Sequence, residues 1–513
     1  MLYPCRLPTC RCVVVVKTLL GSPEGFLPPK PSLLQSGPAT TPPCINTISS
    51  DNMASPHEQV NDNLLAIAAY IQEAVDSLVP NDTIQHAGLA HFRIIAHRPR
   101  DVIDLAKEKL STWPYTNVPL CWRRLFEDAS LYRAIQQLKS MAADPTSNSS
   151  SNERHQQSHT LAGCINDASL AELVNTLDRA IIISGAPGRK ALFDSVFGYL
   201  DKLVAHTHPF DFNPQRLQIA RPRALQILFP RVPSYDGPLD FEAFQLAIAP
   251  QTPFIMRGTF DYWPARKLWD DVKYLKSRSL NGQRLVPVEI GESYTDAGWS
   301  QKLMPFGEFI DTYLLPQRTA AIGYLAQHDL FETLPNLKND ISIPDYCYFD
   351  PPQPTGAAAQ TAGLDSVRPL EQPIINAWLG PAGTKTPLHT DPYHNILCQV
   401  HGYKYVRLYS PSHRAKLYPR GTDEGGISMS NTSKVDIQPF VPPILTSRAE
   451  TSAKNSEENK ASMAVQQVLY PDFGAANYME VILGPGECMY IPVGWFHYVE
   501  SLTTSFSVSF WFN

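Results

Sequence analysis

The segment TPLHTDPYHN (residues 386–395) places an imidazole and a carboxylate two positions apart, at His389 and Asp391. On a β-strand, residues i and i+2 point to the same side, so a strand here would present both groups to one cation. Two histidines and one carboxylate form the facial triad that holds non-haem Fe(II) and leaves three coordination positions open. The competing interpretation is that His389 caps a turn and that Asp391, which precedes Pro392, only starts one.

A third ligand is available in the segment GPGECMYIPVGWFHYV (residues 484–499). A turn at 484–487 is predicted to lead into the strand CMYIP, and a short loop then delivers His497. Taken alone, His497 could equally be a buried histidine among aromatic side chains. His389, Asp391 and His497 are therefore candidate iron ligands, and the two segments by themselves leave both interpretations open.

Both segments lie in a region of short β-like runs separated by Pro and Gly, which predicts a sandwich or barrel over 209–513. The runs lie at 252–258, 284–291, 375–380, 395–400, 403–410, 479–484, 488–492 and 505–512. The last run alternates Phe506, Val508, Phe510 and Phe512 with Ser505, Ser507 and Ser509. Its apolar face is expected to pack outward against other elements, and its serine face to line a cavity.

The preceding residues, 55–208, are predicted to form an all-helical domain. Apolar residues recur at helical spacing within 63–79, 99–111, 119–141, 168–186 and 189–206. A Ser/Asn-rich stretch at 145–160 is predicted to be a flexible loop. Nothing in this domain indicates catalysis, and the pair Arg123–Arg124 is interpreted as a solvated helix face.

Three further segments lack a regular pattern. Residues 1–54 are interpreted as a disordered, Pro-rich leader, and Met53 is a candidate for the native start. Polar, Pro- or Ala-rich stretches near 350–371 and 442–464 are predicted to be mobile insertions in the β-rich domain. Such insertions could reshape the mouth of a pocket.

Composition narrows the class of protein. The 513 residues are 43% hydrophobic and 18% charged, with a formal net charge of −6, so there is no basic field that would signal nucleic acid. The nine cysteines include no CxxC pair, which favours a reduced intracellular protein of the nucleus, the cytoplasm or both. No apolar run approaches the length of a membrane helix.

The β-rich region resembles the JmjC oxygenase family from about Pro230 to Asn513. The segments that carry the resemblance are TPFIMRGTFDYWPA, VPVEIGESYTDAGWS, INAWLGPAGTKTPLHTDPYHNILCQVHGYKYVRLYSP and LGPGECMYIPVGWFHYVESL. The resemblance implies an α+β chain, in which the helical domain precedes a double-stranded β-helix, the jelly-roll of cupin-like JmjC domains. It also implies Fe(II) at the triad, 2-oxoglutarate as cosubstrate and O₂ as oxidant.

Lys404 has a physical reason to face this cosubstrate. It shares a strand face with Val406 and Leu408, so it would point into the barrel, where a lysine is costly unless a partner such as a dicarboxylate neutralises it. The competing interpretation is a snorkelling surface lysine. The resemblance implies that the 2-oxoglutarate contacts are Tyr324, Thr386, Asn395 and Lys404.

The resemblance further implies that Glu289 and Trp378 bind the substrate. A carboxylate and an aromatic face together suit a guanidinium group, which favours hydroxylation of an arginine in a protein or peptide, such as a histone or another basic protein. Demethylation of methyl-lysine by hydroxylation of the N-methyl group is the first alternative. A non-enzymatic scaffold on the same fold is the second, and modification of transfer RNA is a more distant one.

Overall fold

The protein is described here by a computed structural model. It describes residues 56–77, 81–113, 117–143, 165–207, 213–219, 222, 231–291, 293, 298–315, 322–352, 367, 369–422, 428–442 and 453–513. The predicted leader at 1–54 and the predicted loop at 145–160 lie outside these ranges. So does most of the predicted insertion at 350–371, and so does the predicted domain boundary at 208–209.

The amino-terminal part is helical, as predicted. Its helices are α1 (Pro56–Asp76), α2 (Leu89–Ile94), α3 (Pro99–Ser111), α4 (Leu120–Ala143), α5 (Asp167–Ser184) and α6 (Lys190–Thr207). Helix α5 begins where the Asn166 side chain accepts hydrogen bonds from two backbone N–H groups, and it ends at Gly185, whose φ is 78°. Apolar side chains on α1, α4, α5 and α6 meet in one core.

The interpretation of the Arg123–Arg124 pair as a solvated helix face is wrong for Arg124, which is buried. Arg124 is 4% exposed, and its side chain forms ion pairs with Asp82, Glu127 and Asp128. Asp128 also pairs with Arg189 at 3.3 Å. Three carboxylates therefore surround two guanidinium groups inside the helical domain.

The carboxy-terminal part is built from strands. They are β1 (Ser234–Tyr235), β2 (Phe254–Arg257), β3 (Leu285–Ile290), β4 (Ser300–Pro305), β5 (Gly323–His328), β6 (Ile374–Gly380), β7 (Lys385–His389), β8 (His394–His401), β9 (Lys404–Tyr409), β10 (Tyr478–Leu483), β11 (Glu487–Ile491), β12 (Phe496–Ser501) and β13 (Ser505–Phe512). The helices between them are α7 (Phe241–Ile248), α8 (Ala265–Leu268), α9 (Val272–Ser277), α10 (Phe306–Phe309), α11 (Leu330–Thr333), α12 (Pro335–Lys338) and α13 (Ala453–Leu469). The eight runs predicted as strands are confirmed, and the strand considered around His389 is β7. Strands β1, β4, β5 and β12 were not predicted.

The strands form two sheets. One has the order β1-β2-β11-β8-β13-β6-β5-β3-β4, and the other has the order β10-β9-β12-β7. Apolar side chains of both sheets meet between them, among them Leu397, Val406, Leu408, Ile491 and Val499. This is the cupin-like architecture expected after a helical domain, so the predicted fold class is confirmed.

Strand β13 shows how the sequence pattern shapes the barrel. Phe506, Val508, Phe510 and Phe512 lie in the core on the outer face of the larger sheet, where Trp269 stacks on Phe506 at 4.3 Å. Ser507 lies on the opposite face and donates a hydrogen bond to Gln399 Oε1 at 2.8 Å. The predicted division of this strand into an outward apolar face and an inward polar face is confirmed.

Helix α13 contradicts part of the predicted insertion at 442–464. Residues 453–464 belong to the helix Ala453–Leu469, and residues 443–452 lie outside the described ranges. The sequence prediction relied on the absence of apolar periodicity. Alanine, glutamate, lysine and glutamine nevertheless favour the helix through their intrinsic propensity.

No helix in the described ranges is long and apolar enough to cross a membrane.

Candidate metal centre

The structure brings His389, Asp391 and His497 together at the junction of two neighbouring strands. His389 is the last residue of β7 and pairs across the sheet with His497 of β12. Two local predictions were wrong. His497 lies on a strand rather than on a loop, and Asp391 follows the end of β7 rather than sharing the strand with His389. The prediction that the three side chains converge is confirmed.

The spacing of the three side chains suits a cation held between them. Asp391 Oδ1 lies 3.6 Å from His389 Nε2, and Asp391 Oδ2 lies 3.5 Å from His497 Nε2. The candidate ligand atoms all lie within 4.8 Å of one another. An ion with bonds of about 2.0–2.2 Å to nitrogen and oxygen fits between atoms at this spacing.

Backbone carbonyl groups fix the tautomer of both imidazoles. His389 Nδ1 donates to Pro387 O at 2.8 Å, and His497 Nδ1 donates to Trp495 O at 3.2 Å. Each Nε2 therefore carries the lone pair that a metal requires. Burial and the neighbouring His389 lower the pKa of His497 to about 4, although Asp391 acts in the opposite direction. His497 is thus neutral at neutral pH.

The donor set indicates which kind of metal fits. Two neutral imidazole nitrogens and one carboxylate match the facial triad of non-haem Fe(II), which keeps positions open for small ligands. Structural zinc sites, by contrast, use four protein ligands that close the coordination sphere. The three residues present therefore fit Fe(II).

A cavity adjoins the triad and contains most of the predicted site. It is lined by Tyr324, Trp378, Thr386, His389, Asp391, Asn395, Leu397, Lys404, Ile491, His497, Val499 and Ser509. Leu397, Ile491, Val499 and Ser509 were not predicted as site residues. For Ser509 a signal existed, because the serine face of β13 was expected to line a cavity.

Lys404 is the most unusual group in this cavity. Its side chain is 2% exposed, and Nζ donates a hydrogen bond to the Tyr324 hydroxyl at 3.3 Å. Within the described ranges, no carboxylate lies within ion-pair distance of this ammonium group. Burial lowers the pKa of Lys404 to about 7. The side chain therefore fits an anionic ligand that enters the cavity.

The two remaining predicted cosubstrate residues differ in their surroundings. Thr386 lies on β7 and presents a buried hydroxyl to the cavity beside Tyr324. Asn395 donates from Nδ2 to Asp391 Oδ2 at 3.1 Å, whereas its buried Oδ1 has no hydrogen-bond partner in the structure. Asn395 thus orients the carboxylate of the triad, a contact that the sequence did not reveal.

The predicted substrate residues lie on either side of Tyr324. Trp378 lines the cavity, donates from Nε1 to Ser509 Oγ at 3.0 Å, and lies with its ring 5.8 Å from Lys404 Nζ. Glu289 does not line this cavity, but it pairs with Tyr324 across β3 and β5. Its Oε2 accepts a hydrogen bond from Trp299 Nε1 at 3.1 Å.

Comparison with known proteins identifies a family model and several relatives that this chain resembles. Residues 240–513 match the family model of the cupin-like domain. Lysine-specific demethylase 8 of Danio rerio is 33% identical over 82% of this chain and 88% of its own length. The protein of the same name from Xenopus tropicalis is 42% identical over 52% of this chain and 49% of its own length. The bifunctional peptidase and (3S)-lysyl hydroxylase JMJD7 of Homo sapiens is 26% identical over 57% of this chain and 87% of its own length.

Proposed function

The chain belongs to the cupin-like JmjC family of 2-oxoglutarate-dependent oxygenases, and we propose that it hydroxylates an arginine side chain of a protein substrate. The reaction consumes 2-oxoglutarate and O₂ and yields succinate, CO₂ and the hydroxylated residue. The observation that carries the proposal is the cavity in which the triad lies beside the buried cation of Lys404.

The proposal assigns Fe(II) to His389, Asp391 and His497. Bound there, the metal would supply the redox chemistry that couples decarboxylation of the cosubstrate to oxidation of a C–H bond. The protein contributes the ligand geometry, because Pro387 O and Trp495 O hold both Nδ1–H groups. Each imidazole is thereby kept in the tautomer that can coordinate a metal.

The proposal also assigns an orientation to 2-oxoglutarate. Lys404 offers its ammonium group, and Tyr324 and Thr386 offer hydroxyl groups, to the carboxylate remote from the metal. Charge-assisted hydrogen bonds of this kind are roughly twice as strong as neutral ones. Leu397, Ile491 and Val499 form an apolar wall that limits the access of water to the reacting groups.

Arginine is favoured as the target by the chemistry of Glu289 and Trp378. A carboxylate can pair with both terminal N–H groups of a guanidinium, and an indole face can stack on its plane. Trp299 fixes the Glu289 carboxylate through its indole N–H. The substrate is therefore a protein or peptide segment with an accessible arginine, for which basic proteins, histones included, are candidates.

Methyl-lysine demethylation is the second candidate. The relatives from Danio rerio and Xenopus tropicalis are named lysine-specific demethylase 8, and an aromatic face such as that of Trp378 also attracts a methylated ammonium group. Hydroxylation of the N-methyl carbon would give an unstable carbinolamine, which releases formaldehyde. The same triad serves both reactions, so the substrate residues decide between them.

Mass spectrometry distinguishes the two candidates. The purified protein, Fe(II), 2-oxoglutarate and air are incubated with a pool of arginine-rich and methyl-lysine peptides, beside a His389→Ala control. Gain of one oxygen on an arginine, absent with the control, supports the proposal. Loss of methyl groups supports demethylation instead. If no peptide changes and succinate does not exceed the control, both candidates fail and a non-enzymatic role on this fold gains support.

A further inference from the structure

A buried ion pair joins the helical domain to the oxygenase domain. Asp178 of α5 is 1% exposed, and Arg284, which precedes β3, is 4% exposed. Arg284 Nε and Nη2 each lie 2.9 Å from Asp178 Oδ1. The same carboxylate accepts a hydrogen bond from the Leu285 N–H at 2.7 Å through Oδ2. Asp178 thus binds both a side chain and the first backbone N–H of β3.

The pairing of the strands explains why the Leu285 N–H at the start of β3 has no backbone acceptor in the sheet. On one side it pairs with β4 along its whole length, but on the other side β5 pairs with it only at Glu289 and Ile290. The N–H of Leu285 points toward the side that β5 does not reach. A buried N–H needs an acceptor, and Asp178 of the helical domain supplies one.

Further contacts from α6 reach the same part of the oxygenase domain. The ring of Phe197 lies 3.5 Å from the Arg284 guanidinium carbon. Lys190 pairs with Glu332 of α11 at 2.8 Å, and Asp201 accepts a hydrogen bond from Asn336 of α12 at 2.8 Å. Helices α11 and α12 directly follow β5. The helical domain therefore contacts the start of β3 and the segment that leaves β5.

These contacts lie at one end of the two strands that carry Glu289 and Tyr324. Since β3 and β5 are antiparallel, the start of β3 and the end of β5 lie at the same edge. Glu289 lies four residues along β3 from Leu285, which corresponds to roughly 13 Å. Strand β5 pairs with β6 at Leu325 and His328, and β3 joins β5 at Glu289 and Ile290, so the pairing between β3 and the rest of the sheet lies at the end that carries Glu289.

We propose that the helical domain sets the position of strand β3, and that Asp178 is a positioning residue for substrate binding through Arg284 and Leu285. The inference rests on the proposed function, since it takes Glu289 as a substrate contact. Val286 and Val288 hold β3 in the core, but loss of the Asp178 contact releases the start of the strand, and β3 joins β5 only at Glu289 and Ile290, so Glu289 shifts. The triad and Lys404 are held by other strands and are left in place.

The test compares Asp178→Asn with Asp128→Asn in the full-length protein. Asp128 is a matched control, because it is also a buried carboxylate of the helical domain paired with arginines, but these arginines, Arg124 and Arg189, belong to the same domain. Three quantities are measured for each variant. They are the KM for the peptide that the wild-type protein hydroxylates, the Kd for 2-oxoglutarate in the presence of Mn(II), and the rate of succinate formation without peptide. Hydrogen–deuterium exchange over 285–290 provides a readout independent of activity.

Asp178→Asn is expected to raise KM for the peptide about tenfold or more. It is expected to leave the 2-oxoglutarate Kd and the peptide-independent succinate rate within about twofold of wild type. Exchange over 285–290 should accelerate, whereas exchange over 394–401 of β8 should not. Asp128→Asn should change neither KM nor exchange in β3. Unchanged KM and exchange in Asp178→Asn, or equal effects of both variants, would overturn the proposal.

Two further outcomes are covered by the design: a variant that does not fold, and a wild-type protein that hydroxylates no peptide. If Asp178→Asn does not fold, Arg284→Lys replaces it, since lysine keeps the charge but cannot form the two-pronged contact or stack on Phe197. If the wild-type protein hydroxylates no peptide, the proposed function fails by itself. Hydrogen–deuterium exchange over 285–290 then tests the positioning role by itself. If exchange is no faster in the variant than in the wild-type protein, that role is rejected.

Discussion

Lys404 Nζ lies 3.3 Å from the hydroxyl oxygen of Tyr324, inside the cavity that also contains the histidines and the aspartate of the triad. A neutral hydroxyl compensates poorly for the loss of water around an ammonium group. The cost of this burial explains why the pKa of Lys404 falls to about 7. The free protein thus holds a binding site whose charge is complementary to a dicarboxylate.

Replacing Lys404 by methionine should have opposite effects on stability and on binding. Affinity for 2-oxoglutarate should fall by roughly 10- to 150-fold, because a hydrogen bond to a charged group is worth about 1.5–3 kcal/mol. The melting temperature without 2-oxoglutarate should stay equal or rise, since a costly buried cation is removed. Calorimetric titration with Mn(II) present and thermal unfolding test both points. Reduced stability together with unchanged affinity would contradict this role.

Affinity for 2-oxoglutarate should depend on pH through Lys404. The dicarboxylate binds the protonated form, and the group loses its proton as the pH rises through about 7. Affinity should therefore be nearly constant below pH 6 and should weaken by about tenfold between pH 6 and pH 8. Titrations with saturating Mn(II) measure the slope, and buffers of different ionisation enthalpy should reveal proton uptake on binding. A Lys404→Met variant that retained the same slope would refute the assignment.

The correct placement of Lys404 shows where sequence reasoning works. Its face was predicted from Val406 and Leu408, and the three residues do lie on the inner face of β9. Alternation along a strand is a local property, so it can be read without knowledge of the rest of the chain. The convergence of His389, Asp391 and His497 joins distant segments, and it was recognised through the resemblance to a family.

Long-range effects explain the predictions that failed. Strand β12, which carries His497, is buried on both faces and includes Glu500, so it lacks the alternation that signals a strand. Arg124 looked solvated because one of its partners, Asp82, lies 42 residues away. The contact between Asn395 and Asp391 depends on how the chain leaves β7, which no local pattern encodes.

Asn395 is expected to affect the metal as well as the cosubstrate. Because its Nδ2 donates to Asp391 Oδ2, Asn395→Ala should weaken binding of Mn(II) or Fe(II) by about 10- to 100-fold. The control is Thr386→Val, which removes a hydroxyl from the same cavity without touching the triad carboxylate. That variant should weaken 2-oxoglutarate binding but leave metal affinity within about twofold. Metal titration followed by electron paramagnetic resonance distinguishes them, and equal metal affinities for both variants would contradict this reasoning.

Glu289 should determine the affinity for the substrate rather than the chemistry of the metal. Glu289→Gln keeps the shape and the hydrogen bond from Trp299 but removes the charge that faces a guanidinium. KM for an arginine peptide should rise about tenfold or more, whereas the rate of succinate formation without peptide should not change. Steady-state kinetics with arginine and citrulline peptides provide the check. A wild-type enzyme that uses both peptides equally well would exclude recognition by charge.

Glu127 should make the stability of the helical domain depend on pH. Burial raises its pKa to about 8, although Arg124 acts in the opposite direction, and its Oε1 has no hydrogen-bond partner in the structure. Since the pKa in the folded state exceeds the unfolded value of about 4.3, this group's contribution to stability is complete below that value and decreases as the pH rises through about 8. Glu127→Gln mimics the protonated form and removes this dependence. Thermal unfolding of both proteins from pH 5 to pH 9 should show the variant gaining relative to wild type as the pH increases. Parallel curves over that range would mean that Arg124 keeps Glu127 ionised throughout.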